Sequence, residues 1–131
     1  MDKEYTDELM LDFGKEGDLL VPVITQDYHT LEVLILAYTN KAAFDESRQS
    51  GYATFFSRSR GEIWKKGMTS GDRLKIEEIR INCEQNSLLY LVTPVGKGAC
   101  HARKPDGMPY TTCYYRRLLN NGKLVNTGNK P

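Results

Sequence analysis

The chain has 131 residues, the usual size of one domain, and its 18 lysines and arginines nearly balance its 17 aspartates and glutamates. A net charge of +1 argues against a protein that binds nucleic acid or an anionic membrane surface by electrostatic attraction. The hydrophobic content of 40% excludes a disordered chain. Because the apolar runs are too short to span a bilayer and the acidic N-terminus lacks the apolar stretch of a secretory signal, we expect a cytoplasmic protein.

The first part of the chain predicts a short helix, a β-hairpin and a second helix, in that order. Residues 1–14 mix charged and apolar positions and suggest the first helix. Branched residues then predict strands over 19–26 and 31–38, joined by a polar turn. Asn40 and Gly51 are good N-terminal and C-terminal caps for the second helix, which lies between them.

The rest of the chain predicts further short strands, separated by glycine-rich or polar turns. They cover residues 52–57, 62–66, 74–82, 87–93 and 111–119, and the turn between 74–82 and 87–93 predicts that these two strands form a second hairpin. The polar tail from Asn120 onwards, with Gly122, Gly128 and Pro131, predicts a frayed end. Because six or seven short strands, with two hairpins among them, stand against one or two helices, we predict an α+β fold with a mostly antiparallel β-sheet and few helices, in a single domain.

The three cysteines, Cys83, Cys100 and Cys113, are the sharpest chemical feature of the composition. An odd number in a chain without a secretory signal argues against a disulfide framework. Three thiolates can hold a zinc ion and leave a fourth position open, although the spacing differs from that of a zinc finger. The alternative is that the cysteines are small buried hydrophobic residues. All three lie beside turn or polar residues, which favours the metal site.

His101 directly follows Cys100 and is the candidate catalytic residue. A histidine beside a metal ligand can act as a general acid or base on water at the metal. The alternatives are a surface histidine, or a fourth ligand that closes a structural metal site.

Two polar turns, over residues 57–61 and 65–71, combine cations, hydroxyl groups and glycine backbone donors. This mixture suits a phosphate group, although each turn alone is more simply a solvated loop. Trp64 lies between the turns and could stack on a nucleobase or fill the core. The candidate substrate-binding residues are Ser57, Arg58, Ser59, Arg60, Trp64, Lys66, Thr69 and Ser70.

Asn82, Glu84 and Asn86 alternate around the first cysteine, and alternate positions of a strand face the same side. Three side-chain oxygens on one side could hold a hard cation such as Mg²⁺. Because only one of the three groups is a carboxylate, the sequence predicts a weak magnesium site at best.

Four segments of the chain form an ordered and specific pattern. They are L-I-L-A-Y-T-N-K-A-A-F, then G-Y-A-T-F-F-S-R-S-R-G-E-I-W-K-K-G-M-T-S-G-D, then I-N-C-E-Q-N-S-L-L, and finally A-C-H-A followed by C-Y-Y-R. Together they strongly resemble the phosphoribosyl-AMP cyclohydrolase family of histidine biosynthesis. The resemblance covers about residues 19–117, which we take as the core of a single domain over 1–131.

The resemblance implies a zinc-dependent cyclic amidine hydrolase that opens the purine ring of phosphoribosyl-AMP at the N1–C6 bond. It implies that Cys83, Cys100 and Cys113 bind the zinc ion and that His101 transfers a proton. It also implies an obligate homodimer, because the zinc ligands of the family come from both subunits and the site lies at their interface. A family magnesium site uses three aspartates around the first cysteine, in the pattern D-C-D-x-D.

The chain departs from the family pattern at three places. Residues 82–86 are N-C-E-Q-N, so two of the three carboxylates have become amides, which should lower the affinity for Mg²⁺. Asp72 stands where the family usually has His or Asn, and an insertion over 103–110 lengthens the segment between the last two cysteines. Two alternatives therefore stay open: an amidine hydrolase or deaminase that acts on another nucleotide or heterocycle, and a non-catalytic zinc-binding or nucleotide-binding protein.

Overall fold

A computed structural model of the chain describes residues 2–127, and within them the chain forms one helix and eight strands. The elements are β1 (Val21–Asp27), β2 (Val33–Thr39), α1 (Lys41–Ser50), β3 (Thr54–Ser57), β4 (Glu62–Lys65), β5 (Leu74–Ile81), β6 (Leu88–Pro94), β7 (Arg116–Leu118) and β8 (Leu124–Asn126). No helix in this part of the chain is long and apolar enough to cross a membrane.

Four strands form the main sheet, in the order β2-β1-β6-β5. β1 pairs with β2 and β5 pairs with β6, both antiparallel, so the two predicted hairpins are confirmed. The two central strands, β1 and β6, run parallel, which the local hairpin patterns do not predict. The fold is α+β, with one helix beside a β-structure in which most strand pairs are antiparallel.

One face of the main sheet packs into the core, as the alternating burial of residues along its strands shows. In β1 the odd-numbered residues from Val21 to Asp27 are buried, whereas Ile24 is exposed. The core also includes Leu34 of β2, Phe44 of α1, Phe55 of β3 and Tyr90 of β6.

The helix α1 begins and ends at the residues that its caps predict. The Asn40 side chain accepts a hydrogen bond of 2.9 Å from the backbone N–H of Ala43, which satisfies one of the free donors of the first turn. Gly51 has a φ of +78° and donates to the carbonyl of Ser47, which ends the helix.

The N-terminal helix predicted over residues 1–14 is wrong: residues 2–14 form turns and irregular structure. A side chain distant in sequence forms hydrogen bonds with backbone groups that would bond to one another in a helix. The Gln85 amide accepts from the N–H of Met10 at 2.6 Å and donates to the carbonyls of Lys3 and Glu8 at 3.1 and 3.2 Å. Since Gln85 lies far along the chain, no local pattern predicts this conformation.

The last predicted strand, over 111–119, is wrong in extent, because only Arg116–Leu118 is a strand. Thr112 and Cys113 instead bond to the exposed edge of β2, where the Cys113 N–H donates to the carbonyl of Leu34 at 2.8 Å. The tail is also more ordered than predicted, since β8 pairs with β7. Residues 128–131 of that tail lie outside the described residues.

Candidate active site

The inserted segment between Cys100 and Cys113 folds back on itself and brings these two cysteines together. The N–H of Lys104 donates to the carbonyl of Met108 at 2.8 Å, which closes a tight turn. At the base of that turn, the N–H of Cys100 donates to the carbonyl of Tyr110 at 3.1 Å. The two thiols consequently lie close enough to interact, despite the long segment between them.

Cys83 lies in a different part of the molecule, in the turn that follows β5. β5 is one edge of the main sheet, and β2, to which Cys113 bonds, is the other edge. Three strand spacings separate the edges by about 14 Å. Two sulfurs on one zinc ion lie at most about 4.6 Å apart, because each Zn–S bond is about 2.3 Å. Among residues 2–127, no group of three or more His, Cys, Asp or Glu side chains is placed to hold a metal.

A buried lysine lies beside the cysteine pair. Lys66 is only 6% exposed, and its ammonium donates to the carbonyl of Asp72 at 3.0 Å. Burial lowers the pKa of Lys66, and the nearby Asp72, Cys113 and Cys100 oppose that shift. Lys66 therefore provides a positive charge that favours thiolate over thiol at the cysteine pair.

The two thiols do not ionise independently. Although Cys113 is exposed as a residue, its thiol is half enclosed, and this burial together with the adjacent Cys100 raises its pKa to about 12. The ammonium of Lys66 acts in the opposite direction. Without a metal, the pair therefore retains at least one proton at neutral pH, since two adjacent thiolates repel each other.

A cleft of about 250 Å³ opens beside the cysteine pair. Its walls contain four cationic side chains and one carboxylate, a balance that favours an anionic ligand. The lining residues are Arg60, Trp64, Lys65, Lys66, Gly67, Met68, Thr69, Ser70, Asp72, Cys100, His101 and Arg103. The cleft thus brings together His101, Cys100 and five of the eight candidate substrate-binding residues, and it adds Lys65, Met68 and Arg103.

The other three candidate substrate-binding residues lie outside the lining of this cleft. The guanidinium of Arg58 stacks 4.1 Å above the ring of Tyr38. The Ser57 hydroxyl accepts from the N–H of Arg60 at 3.3 Å and lies 3.4 Å from the hydroxyl of Ser59. Ser57 thus stabilises the turn that presents Arg60 to the cleft.

Trp64 packs against the core and also lines the cleft, so it combines the two roles that the sequence leaves open. Its ring packs 5.8 Å from the ring of Phe55, whose side chain is fully buried. The same tryptophan lines the cleft. Its indole therefore supports the floor of the cleft and offers an aromatic surface to a bound ring.

Residues 82–86 form a turn in which the side chains of Asn82, Glu84 and Asn86 bond to the turn itself. The Asn82 side-chain oxygen accepts from the N–H groups of Asn86 and Ser87, each at 2.9 Å. The Asn86 amide donates to Glu84 at 3.1 Å. The two amides therefore stabilise the turn that presents Cys83, which gives them a structural role beside the magnesium site proposed from the sequence.

Asp72 has a structural role that its position in a glycine-rich loop only hints at. Its carboxylate accepts from the N–H of Lys97 at 2.9 Å, and its carbonyl accepts from Lys66. Glycines lie against it on both sides: a Cβ on Gly67 would lie 2.3 Å from the Asp72 carbonyl carbon, and one on Gly96 would lie 2.2 Å from its carboxylate. Asp72 thereby joins two loops that border the cleft.

We expect Gly67→Ala to destabilise the protein by roughly 2–3 kcal/mol, because it combines a positive φ with a backbone clash at Asp72. Gly71→Ala is the matched control, since Gly71 also has a positive φ, +84°, but has nothing within 4 Å of an added Cβ. Its expected cost is about 1 kcal/mol. Urea denaturation of both variants measures the difference, and equal losses would contradict the close approach.

Comparison with known proteins gives the family of this chain. The sequence model of the phosphoribosyl-AMP cyclohydrolase family matches residues 35–115. The phosphoribosyl-AMP cyclohydrolase of Desulforapulum autotrophicum is 47% identical over 109 residues, which cover 83% of this chain and 82% of that protein. The enzyme of the same name from Methanocella arvoryzae is 50% identical over 101 residues, covering 77% of this chain and 79% of that protein.

A fused relative shows the same similarity. The histidine biosynthesis bifunctional protein of Aquifex aeolicus is 42% identical over 113 residues, which cover 86% of this chain and 51% of that protein. The match to the family model includes most of β2, all elements from α1 to β6, the three cysteines and the lining of the cleft. The chain therefore belongs to the phosphoribosyl-AMP cyclohydrolase family, a family of hydrolases that act on a cyclic amidine.

Proposed function

We propose that this protein hydrolyses the N1–C6 bond of phosphoribosyl-AMP in histidine biosynthesis, at a zinc site completed by two copies of the chain. The observation that carries the proposal is the pair Cys100 and Cys113 beside His101 and a cationic cleft. The relatives named phosphoribosyl-AMP cyclohydrolase support the substrate. The three free thiols suit the reducing cytoplasm, where we place the protein.

The donor set fits zinc. Cys100 and Cys113 offer two adjacent soft sulfur ligands, and their shared proton is one that a metal ion can displace. Because Cys83 cannot reach them within one chain, the third ligand would be Cys83 of a second copy in a homodimer. Zinc bound in this way would act as a Lewis acid that activates water at neutral pH.

His101 is the residue of this chain placed to move protons during the hydrolysis. The side chain is exposed at the cleft, directly after a cysteine of the pair. In the reaction, the oxygen of water bonds to C6 while the N1–C6 bond breaks. His101 would take the proton from the water and return a proton to N1, so that the ring opens to an amide and an N–H group.

The remaining cleft residues would bind and orient the substrate. Arg60, Lys65 and Arg103 provide cations for the phosphate groups, and Thr69 and Ser70 add hydroxyl donors. Stacking of the purine on the exposed surface of the tryptophan in the same cleft would orient C6 relative to the cysteine pair.

One observation favours a second candidate substrate. Arg103 belongs to the inserted segment and lines the cleft, so the insertion contributes a cation that a shorter segment would lack. An amidine hydrolase that acts on another phosphorylated nucleotide is therefore the alternative. A panel of purine nucleotides, run beside phosphoribosyl-AMP, separates the two substrates.

A magnesium requirement is the weaker part of the proposal. The site would use Asn82, Glu84 and Asn86, of which Glu84 is the single carboxylate. Loss of turnover after dialysis of the zinc-loaded protein into buffer that contains Zn²⁺ and no Mg²⁺, followed by recovery with added Mg²⁺, would support it. Equal turnover with and without Mg²⁺ would rule out the requirement.

We expect the zinc-loaded protein to convert phosphoribosyl-AMP and His101→Ala to lose about 10²- to 10⁴-fold in kcat, because a general acid–base group is removed. Zinc content should stay at the wild-type level. The control is His29→Ala, which alters the other histidine, exposed in a turn and 3.2 Å from the hydroxyl of Thr93. The absorbance change on ring opening measures turnover, and no turnover with zinc, with or without Mg²⁺, would refute the proposed substrate.

Mixing two inactive variants tests whether the site is shared between copies. Cys83→Ala and Cys113→Ala should each be inactive alone, since every site then lacks one ligand. A mixed dimer contains one intact site, so an equal mixture should recover about a quarter of wild-type activity if subunits exchange at random. Cys100→Ala mixed with Cys113→Ala is the control and should recover nothing, because both ligands come from the same chain. Recovery in the control, or none in the first mixture, would contradict the shared site.

Zinc binding should release protons and tighten as the pH rises. The raised pKa of Cys113, about 12, keeps its thiol protonated at neutral pH, whereas an ordinary thiol ionises near pH 9. Zinc affinity should therefore still increase above pH 9, by up to about tenfold per pH unit for each proton released. A competitive chelator titration and an indicator dye measure both quantities. Cys113→Ala should release fewer protons, and an affinity independent of pH would contradict this ligand.

A further inference from the structure

Two segments of the chain complement each other in charge, and the first of them lies outside the region that matches the family model. Residues 2–18 contain seven carboxylates against two lysines, a net charge of −5. Residues 97–123 contain six lysines and arginines against one carboxylate, a net charge of +5. Among residues 2–127, every ion pair between a lysine or arginine and a carboxylate lies outside these two segments.

The N-terminal arm, residues 2–12, lies on the turn that presents Cys83. Gln85, two positions after that cysteine, is 5% exposed. Its side chain makes three hydrogen bonds, and all three join it to the backbone of the arm. The outer surface of the arm remains uncovered: Tyr5 is 84% exposed and Leu9 is 51% exposed. The arm therefore offers apolar and acidic groups next to the third cysteine.

The C-terminal hairpin, residues 114–127, begins directly after Cys113. All residues of β7 and β8 are exposed, including Leu118 at 68%, and Arg116 and Arg117 are among them. A two-stranded hairpin exposed on both faces is marginally stable in water, so such a hairpin gains from a covering partner. Its base is anchored to the inserted segment, since the rings of Tyr110 and Tyr115 stack at 3.8 Å.

The shared cysteine site determines which surfaces would meet. If Cys83 of one copy joins Cys100 and Cys113 of the other, the turn that holds the arm lies beside the start of the C-terminal hairpin of that other copy. Acidic and apolar groups of the arm then face basic and apolar groups of the hairpin. Opposite charges that face each other stabilise and orient such a contact.

We propose that the N-terminal arm of one copy docks on the C-terminal hairpin of a second copy, so that Gln85 couples this contact to the position of Cys83. The inference rests on the proposed function, because the shared cysteine site supplies the geometry. The arm fits a second copy of this chain better than it fits a nucleic acid, since its carboxylates would repel phosphates.

Charge reversal on each side tests the docking. Arg116→Glu combined with Arg117→Glu should weaken dimerisation of the zinc-loaded protein by at least about tenfold at low salt. Asp7→Lys combined with Glu8→Lys should do the same. The four changes together restore opposite charges across the contact and should return the dissociation constant to within about threefold of wild type. Sedimentation equilibrium at 50 and 500 mM NaCl measures these constants, and the wild-type dimer should weaken as the salt screens the charges.

The matched control reverses two positive charges elsewhere, at Arg48 on α1 and Lys75 at the start of β5. Arg48→Glu with Lys75→Glu should leave dimerisation unchanged. Recovery by the fourfold variant also shows that each charge-reversed segment still folds. Dimerisation of both double variants at the wild-type constant, a fourfold variant weaker than either, or a monomeric wild-type protein would overturn the docking.

The same samples separate the two proposals. Turnover of phosphoribosyl-AMP and recovery by subunit mixing, together with dimerisation insensitive to these charges, would overturn the docking alone. A charge-dependent, rescued dimer without turnover would uphold the docking and overturn the proposed substrate.

Discussion

The strand order of the main sheet is the constraint on which the proposed activity depends. It places the edge strand that holds Cys113 and the edge strand that leads to Cys83 on opposite sides of the molecule. Side-chain rotation cannot span about 14 Å, so in the proposed zinc site one folded chain would present two sulfurs of the set and a second chain would present the third. Zinc affinity, activity and self-association then become linked quantities, because metal that bridges two copies stabilises the dimer by mass action.

Within one chain, hydrogen bonds bring the two ends of the segment between Cys100 and Cys113 together. The inserted segment pairs with itself and returns the backbone at Tyr110 to Cys100, so its length adds a cation to the cleft without separating the two thiols. On the opposite wall, Asp72 receives Lys66 on its carbonyl and Lys97 on its carboxylate. The buried ammonium is thereby held near the thiols by a backbone carbonyl, which solvates the charge and leaves the cysteines available to a metal ion.

The sequence predicts those elements whose causes lie within a few residues. The helix α1 follows from Asn40 and Gly51, and the two antiparallel hairpins follow from strand patterns on either side of a turn. The N-terminal helix fails because Gln85 binds the backbone of a segment 75 residues away. The parallel pairing of β1 with β6 is missed for the same reason, since it joins strands distant in sequence. At the site, the motifs that resemble the family predict most of the residues that line the cleft. The distance of Cys83 from Cys100 and Cys113, however, depends on the long-range pairing of β1 with β6.

The near-neutral net charge acquires a different meaning once the residues are placed on the structure. An acidic N-terminal segment and a basic segment that contains two of the cysteines cancel each other, and the rest of the chain leaves the net charge of +1. A basic hairpin alone would attract a polyanion, contrary to the conclusion drawn from composition. On the proposed docking, the acidic arm of the second copy covers that hairpin, so the dimer presents no basic stripe there. The cations in the cleft would keep their proposed role, because a pocket of about 250 Å³ is suited to a small phosphorylated substrate and is too small for a duplex.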